Sequence, residues 1–465
     1  MAVIAILGAG FSGSILSVQL LRELRSQKIK RASVLLFDQS GEFGRGAAYR
    51  TSNPNHKLNV PAARMSAFPQ EPEHFLNWLQ KKSPGSTADT FAPRFFFGSY
   101  IGETLREETE SLSSALEFEK ISEQVTDVLE RVSGKFQIHL QSGRTFEADS
   151  VVLALGNQTP ANIPGTNEIL NHPLYISNPW TANPITSSNS RILILGTGLT
   201  MIDTVLSLEA QNHNVSVLAV SRHGLLPSAH FNTQKPEKIP EFKNGDLKVL
   251  VQSVREGIKQ LESQGGDWRW MIDSLRPALQ NLWKSLSHGD KKQFLRHVRP
   301  YWEVCRHRIA PEIAEKIHGH IGAGRLEVRA ARIVKIEVLK TKFLGTFKIR
   351  GSSQIEQRVF DCVINCAGPQ TDFTQVRSQL VENLLKRKMI AVDSLKLGIC
   401  ADERNQVLDS KGDSQNGFFA IGSMLKGMLW ETTAVPELRV QAEKLSKEIC
   451  SFVFQERESP GEVAL

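Results

Sequence analysis

Three glycines near the N-terminus have the spacing of a loop that binds the pyrophosphate of a dinucleotide. The segment Gly8-Ala9-Gly10-Phe11-Ser12-Gly13 follows a short apolar run and opens an amphipathic helix. In such a loop Gly8 permits the tight turn, Gly10 lets the backbone approach the phosphates, and Gly13 lets the helix pack on the strand. The helix is expected to begin at about Ser12, so its N-terminus points at the phosphates, with Phe11 and Ser12 beside them. The pattern therefore predicts a dinucleotide site.

A carboxylate and a second glycine loop extend this pattern. Asp38 ends the next apolar strand, where its carboxylate can accept hydrogen bonds from the adenosine ribose. A second strand–turn–helix pattern contains Gly196-Thr197-Gly198-Leu199-Thr200-Met201. Met201 replaces the third glycine, so we expect the helix and the strand to lie slightly farther apart there. Two dinucleotide units in one chain predict a flavoprotein in which one cofactor passes a hydride to the other.

The residues after the second predicted site indicate which coenzyme it takes. The strand that follows this loop ends in Ser221-Arg222-His223 instead of an acid. A carboxylate repels a ribose 2′-phosphate, whereas the guanidinium of Arg222 pairs with it. The sequence therefore predicts FAD at the first site and NADPH at the second, with NADH as the alternative. The competing interpretation is that Arg222 is a solvated surface side chain.

The composition excludes several classes of protein. The 465 residues carry a net charge of +7 and a sequence pI of about 9.1, but no basic block. The surplus therefore indicates an attraction for small anions rather than for nucleic acid. With no signal-peptide pattern and no apolar run of about 18 residues, we expect a cytoplasmic protein and no membrane partner. The five cysteines form no CxxC pair, which gives a redox disulfide no support.

The order of these patterns predicts an α/β fold with two Rossmann-like dinucleotide-binding domains, of which the FAD domain is discontinuous. We expect residues 1–165 to form the first part of the FAD-binding domain. Residues 190–335 are expected to form the NAD(P)H-binding domain, with a helical segment at 246–318. Residues 336–456 then complete the FAD-binding domain.

Two segments of the chain resemble each other. In both, an alternating apolar strand precedes a buried strand that ends in a glycine, Gly156 or Gly368. An aspartate, Asp149 or Asp361, stands seven residues before that glycine. We expect the two strands to have the same role, each delivering a glycine turn to the cofactor site.

Further motifs over nearly the whole chain resemble the YdhS-like FAD/NAD(P)-binding proteins. Besides the second glycine loop, they are Gly44-Arg45-Gly46-Ala47-Ala48-Tyr49, His56-Lys57-Leu58-Asn59-Val60-Pro61-Ala62, Met65-Ser66, Pro93-Arg94, Ser221-Arg222-His223-Gly224-Leu225-Leu226-Pro227, Arg306-His307-Arg308 and Gly427-Met428-Leu429-Trp430-Glu431-Thr432-Thr433-Ala434-Val435-Pro436-Glu437. The family looks like a relative of the class B flavin monooxygenases and the amino-acid N-hydroxylases, and the FAD-dependent urate hydroxylases are similar. The resemblance implies cofactors more firmly than it implies a reaction.

The resemblance also implies roles for individual residues. Gly44, Gly46 and Asn59 would line the FAD, with Asn59 near the isoalloxazine, and Gly422 would face the pyrimidine end of the flavin. Asn59 could instead bond the backbone of its own loop. Arg94 could bind a substrate anion or pair with a local carboxylate. For Arg306-His307-Arg308 we favour a structural cluster of ion pairs over a binding patch.

Taken with the resemblance, these motifs predict an FAD-dependent, NAD(P)H-using monooxygenase that hydroxylates a small polar substrate with O₂ through a flavin C4a-peroxide. We expect the substrate to be a urate-like heterocycle or an amino acid, and both stay open. A flavin-dependent reductase or dehydrogenase without oxygen insertion, and a non-catalytic redox sensor, stay open as alternatives. The sequence shows no metal-ligand cluster, and it carries no signal for the oligomeric state or for a general acid or base.

Overall fold

The computed structural model describes residues 1–181, 189–211, 214–231 and 236–455. The chain forms two compact units. The first unit contains Met1–Ser52, Val60–Gln158 and Gln370–Leu465, and the second contains Asn53–Asn59 and Thr159–Pro369. None of the described helices is long and apolar enough to cross a membrane.

The elements are numbered in chain order. The strands are β1 (Ala2–Leu7), β2 (Ala32–Phe37), β3 (Leu116–Ile121), β4 (Val125–Glu130), β5 (Phe136–Leu140), β6 (Thr145–Ala148), β7 (Ser150–Leu153), β8 (Tyr175–Ile176), β9 (Arg191–Leu195), β10 (Ser216–Ser221), β11 (Leu326–Leu339), β12 (Lys342–Ile349), β13 (Ile355–Phe360), β14 (Cys362–Asn365), β15 (Gln406–Leu408) and β16 (Ser414–Ala420). The helices are α1 (Phe11–Ser26), α2 (Gly46–Tyr49), α3 (His74–Lys82), α4 (Arg94–Glu110), α5 (Leu199–Ala210), α6 (Leu247–Ser263), α7 (Trp268–Ser274), α8 (Leu279–Ser285), α9 (His288–Gln293), α10 (Arg299–Arg306), α11 (Pro311–Gly322), α12 (Gln379–Lys386) and α13 (Val435–Gln455).

The first unit is built on a six-stranded sheet in the order β15-β16-β7-β1-β2-β3. All its pairs are parallel except β15 on β16. Every residue of β2 and of β7 is buried, which is the pattern of parallel strands covered on both faces. Helix α1 packs against α4 and α13. Apolar side chains of the sheet, of the antiparallel sheet β4-β5-β6 and of α12 form one core cluster.

The second unit has a seven-stranded sheet in the order β13-β12-β11-β10-β9-β14-β8. Strands β11, β10, β9, β14 and β8 run parallel, and the antiparallel strands β12 and β13 extend the sheet at one edge. Helices α6 to α11 lie between β10 and β11 in the chain, where the sequence predicts a helical segment. The prediction of an α/β fold with two Rossmann-like sheets is confirmed.

The second unit extends beyond the predicted boundary at residue 336. Residues 336–369 belong to the second unit, because β11 to β14 are strands of its sheet. The return of the chain to the first unit comes at Gln370. The two similar segments explain the difference, since β7 lies beside β1 in one sheet and β14 lies beside β9 in the other. Their shared pattern reflects the same position in two sheets rather than membership of one domain.

The two aspartates that precede these strands have the same structural role. Asp149 accepts the backbone N–H of Val3 with its carboxylate at 2.8 Å, and its own N–H donates to the Val3 carbonyl at 2.8 Å. Asp361 makes the same pair of bonds with Arg191, again at 2.8 Å. Each aspartate therefore fixes the register between the glycine-loop strand and its parallel neighbour.

We expect Asp149→Ala to lower the free energy of unfolding by about 1–3 kcal/mol, the usual cost of leaving a buried donor without its partner. The side chain is buried, so water cannot easily replace the lost acceptor. Denaturant unfolding of the two proteins measures the effect. Asp149→Asn keeps an oxygen acceptor and should lose clearly less stability. Equal losses in the two variants would contradict the hydrogen-bond role.

Candidate dinucleotide-binding sites

The first glycine loop leaves no room for side chains at two of its three glycines. Gly8 has a φ of +111°, and a Cβ there would lie 2.4 Å from the Ala154 carbonyl oxygen at the end of β7. A Cβ on Gly13 would lie 1.8 Å from the Gly8 carbonyl oxygen. The loop therefore requires glycine for the turn and for the close packing of α1 on β1, as predicted from the spacing.

The N-terminus of α1 is open to a ligand. Its N-cap is Gly10, in extended conformation, and no side chain caps the helix. An uncapped helix leaves first-turn N–H groups for a ligand, and its positive end favours an anion. This arrangement fits the phosphates of a dinucleotide.

Asp38 lies directly against this loop. One carboxylate oxygen accepts the N–H of Ala9 at 3.0 Å. The other accepts the N–H of Ser40 at 2.8 Å and its hydroxyl at 2.5 Å. These bonds hold the carboxylate at the end of β2, where a ribose hydroxyl can donate to the remaining lone pairs.

The glycines of the Gly44–Tyr49 segment come together with the first loop. Gly44 donates its N–H to the Ala9 carbonyl at 3.0 Å. A Cβ on Gly46 would lie 3.1 Å from the Cα of Gly10. The structure thus brings both residues to the predicted FAD loop, although 34 or more positions separate each from Gly10 in the chain.

Helix α4 supports this segment through glycines that the sequence reasoning missed. A Cβ on Gly98 would lie 2.8 Å from the Tyr49 carbonyl oxygen, and Gly102 lies directly beneath Gly44. Their spacing of four residues on one helix was an available signal.

Arg94, at the start of α4, is buried. Burial raises the pKa of Tyr49 to about 12, and the charge of Arg94 opposes that shift.

Gly422 also reaches the N-terminus of α1. It has a φ of +92°, and a Cβ there would lie 2.9 Å from the Ser12 hydroxyl oxygen. The side-chain oxygen of Gln441, on α13, accepts the Gly422 N–H at 3.3 Å and the Thr432 hydroxyl at 2.9 Å. Gln441 therefore positions Gly422, and no sequence motif indicated it. Gly156, three residues after β7, has a φ of +63°, and no described atom lies within 4 Å of where its Cβ would be.

The second unit repeats the geometry of the first loop. Gly196 has a φ of +116°, and a Cβ there would lie 2.4 Å from the Cys366 carbonyl oxygen at the end of β14. Gly198 is the N-cap of α5, again with no side-chain cap, and nothing described lies within 4 Å of where its Cβ would be. Leu199 and Thr200 form the first turn of α5. This loop also fits a dinucleotide phosphate.

The structure also locates the other residues predicted around the second loop. Met201, in place of the third glycine, is completely buried. Gly368 follows β14 with a φ of +89° and open space around it. Arg222 follows β10 and is exposed. His223 is the next residue in the chain, and its ring contacts Arg350, which the sequence reasoning missed.

Asn59 belongs to the second unit, as part of the segment Asn53–Asn59. Its carbonyl oxygen lies 2.9 Å from His230 Nε2. His56, in the same segment, is buried, and its Nε2 lies 2.9 Å from the Asp203 carbonyl and 3.0 Å from the Ser207 hydroxyl. These contacts give both histidines structural partners within the second unit.

The segment Arg306-His307-Arg308 lies at the end of α10 in an ion-pair cluster. Arg308 is buried and pairs with Asp273, while His307 Nε2 lies 3.3 Å from Glu303. Burial lowers the pKa of Arg308, and Asp273 opposes that shift. The pairing supports the structural interpretation of this motif. In the described part of the chain, no three His, Cys, Asp or Glu side chains group as metal ligands do.

Sequence comparison matches one segment to a known family. Residues 5–158, which contain the first glycine loop and Asp38, match a family model described as FAD-NAD(P)-binding. This match confirms the predicted dinucleotide-binding character of that segment. No curated protein sequence matches the chain.

The fold is similar, over almost the whole chain, to that of solved hydroxylase, monooxygenase and reductase structures. Ornithine hydroxylase (PvdA) from Pseudomonas aeruginosa matches with a TM-score of 0.66 at 16% identity, covering 96% of this chain and 98% of that one. L-lysine 6-monooxygenase from Pseudomonas syringae matches with a TM-score of 0.65 at 15% identity, covering 97% of this chain and 100% of that one. Lactococcus lactis thioredoxin reductase matches with a TM-score of 0.51 at 12% identity, covering 98% of this chain and 100% of that one. At these identities the likeness shows the fold, and it confirms the predicted fold class.

Proposed function

We propose that this chain is an FAD-dependent, NADPH-using monooxygenase that hydroxylates a small polar substrate. One observation carries the proposal: two structurally equivalent glycine loops differ at the residues that contact an adenosine ribose. The first loop has the carboxylate of Asp38, and the second has Ser221 followed by Arg222. The two loops are thus suited to different dinucleotides, FAD and NADPH.

The first site supports FAD binding through groups from four parts of the chain. The open end of α1 would bind the pyrophosphate, and the carboxylate of Asp38 would accept hydrogen bonds from the ribose. The positive φ of Gly422 keeps its Cα close to Ser12, and Gln441 holds its N–H. We assign Gly422 and the N-terminus of α13 to the flavin end of the site, where a helix dipole stabilises negative charge on reduced flavin.

The second site supports NADPH binding at the open N-terminus of α5. The absence of a side-chain cap there leaves N–H groups for the pyrophosphate, as in the first unit. Gly198 lets the backbone approach the phosphates without obstruction. Bound FAD supplies the hydride acceptance and the reaction with O₂, while the chain binds, orients and excludes water from the reactants.

The cysteines favour a monooxygenase over the disulfide reductases that share this fold. The described structure has its five cysteines free and mostly buried, and the sequence has no CxxC pair. Burial raises the pKa of Cys362, Cys366 and Cys450 to about 12, so these thiols are poor nucleophiles.

For the substrate we favour an amino acid or a related amine over a urate-like heterocycle. Solved proteins of the same fold that align over most of this chain include an ornithine hydroxylase, an L-lysine 6-monooxygenase and a cadaverine monooxygenase. The motifs that resemble YdhS-like proteins agree with the cofactors and leave the substrate open.

A purified sample tests the proposal in three steps. We expect flavin absorbance bands, and we expect anaerobic NADPH to bleach them faster than NADH does. In air, we expect one of ornithine, lysine, cadaverine or urate to stimulate NADPH oxidation and to yield a product heavier by one oxygen atom. Absorbance spectroscopy, stopped-flow mixing and mass spectrometry provide the measurements.

Other outcomes would point elsewhere. A protein that takes up no flavin, even from added FAD, would overturn the central assignment. Flavin that neither coenzyme reduces would support a redox sensor. Reduction followed by electron transfer to artificial acceptors, with hydrogen peroxide but no oxygenated product from any of the four compounds, would support a dehydrogenase.

A further inference from the structure

We propose that Arg350 completes the ribose 2′-phosphate site with Arg222 and His223, and that this site determines the preference for NADPH. The proposal rests on the assignment of the second unit to a nicotinamide coenzyme. Strand register locates the site. Gly8 donates its N–H to Phe37, the residue before Asp38, and Gly196 donates to Val220, the residue before Ser221.

Ser221 therefore occupies the position that Asp38 has in the first unit, and it brings no negative charge. Its hydroxyl lies 2.9 Å from the hydroxyl of Thr197, in the glycine loop, and accepts the N–H of Gly224 at 2.9 Å. These bonds join the glycine loop to the turn after β10. The side chain that follows, Arg222, is left exposed to solvent.

The sheet places Arg350 beside Arg222, although 128 positions separate the two residues in the chain. Arg350 follows β12, and its backbone N–H donates to the Ala330 carbonyl at 2.9 Å. Gly224 packs on the same residue, since a Cβ there would lie 2.8 Å from the Ala330 N. One residue of β11 thus anchors both turns. As a result, the guanidinium of Arg350 contacts His223 Nδ1 and lies 3.5 Å from the Arg222 carbonyl.

The two arginines have no acidic partner in the described part of the chain. Four other cations on the same sheet are paired: Arg329 and Arg358 with Glu327, Lys342 with Asp361, and Lys335 with Glu337. Burial lowers the pKa of His223, and the charges of Arg350 and Arg222 lower it further.

A phosphate dianion fits this arrangement. In a dinucleotide bound at a glycine loop, the adenosine ribose lies at the end of the second strand of the unit, here β10. Arginine binds phosphate through paired N–H groups, and two guanidiniums without carboxylate partners can both be used. The 2′-phosphate is the group that distinguishes NADPH from NADH at that position.

The test uses 2′,5′-ADP and 5′-ADP as probes, with titration calorimetry on the flavin-loaded protein. We expect the wild type to bind 2′,5′-ADP about 100-fold more tightly than 5′-ADP, on the scale of two charge-assisted contacts. Arg350→Ala and Arg222→Ala should each remove roughly tenfold of that preference and leave 5′-ADP binding unchanged. Arg332→Ala, an exposed arginine of β11 close by, is the matched control and should change nothing.

Each contrary result has a clear meaning. Full 2′,5′-ADP preference in Arg350→Ala, or an equal loss in Arg332→Ala, would overturn the role of Arg350 even if NADPH still bleaches the flavin. If Arg350→Ala loses the preference but no coenzyme reduces the wild-type flavin, the phosphate site stands and the proposed function fails. A wild type that binds neither probe would overturn both.

Discussion

Gly8→Ala is expected to abolish FAD binding and to lower the free energy of unfolding by about 2–5 kcal/mol. Two costs add. A side chain at a left-handed φ costs roughly 1–2 kcal/mol. Forcing a methyl into packed backbone costs a further 1–3 kcal/mol, roughly. The Cβ would lie 2.4 Å from the Ala154 carbonyl oxygen, so either the loop or β7 must shift. Denaturant unfolding and flavin absorbance per protein measure the two effects.

Gly143→Ala separates the two costs. Gly143 has a φ of +90° in the same unit, but nothing lies within 4 Å of its Cβ position. This variant should lose only the conformational part, roughly 1–2 kcal/mol, and should keep its FAD. If Gly8→Ala were as stable as Gly143→Ala and retained flavin, the close approach of β1 and β7 would have no role in the site.

Gly198→Ala is expected to weaken NADPH binding about 100-fold while leaving the fold and the FAD content unchanged. Gly198 is extended, with φ −86° and ψ −163°, so alanine fits the backbone. No described atom lies within 4 Å of the new methyl group. Any loss must therefore come from a collision with the ligand. The affinity is measured from how the rate of anaerobic flavin bleaching depends on the NADPH concentration.

The matched control for Gly198→Ala is Gly319→Ala, on α11. Gly319 also has open space around it and lies away from the glycine loop in the chain. Alanine there should raise stability by about 1 kcal/mol through helix propensity, with no change in coenzyme affinity. NADPH binding that is equally strong in Gly198→Ala and in the wild type would show that the loop does not receive the pyrophosphate.

Local sequence was sufficient to locate the two loops because the strand, the glycine spacing and the start of the helix all lie within a few residues of one another. A strand, a turn with a positive φ and an uncapped helix follow from the spacing of Gly8, Gly10 and Gly13 and from apolar periodicity. The residues that distinguish the two units, Asp38 after β2 and Ser221-Arg222 at the end of β10, can also be read from local sequence. These features predict two Rossmann-like units and two different cofactors without reference to any tertiary contact.

The domain boundary could not be read in this way. Strands β7 and β14 have the same pattern, with Asp149 or Asp361 before the strand and a glycine after it. The pattern specifies a position beside a glycine-loop strand, but both β1 and β9 offer that position. Which sheet accepts which strand depends on pairings between distant segments, and sequence periodicity does not encode them.

Only the tertiary structure showed which distant residues meet at each loop. Gly46 and Gly422 reach α1, Gln441 holds Gly422, and Arg350 lies beside Arg222. The sequence by itself determined the pyrophosphate loops, because the glycine spacing that marks each loop is contained in a few consecutive residues. The fold decided the rest, because long-range strand register and helix packing bring side chains together regardless of their separation in the chain.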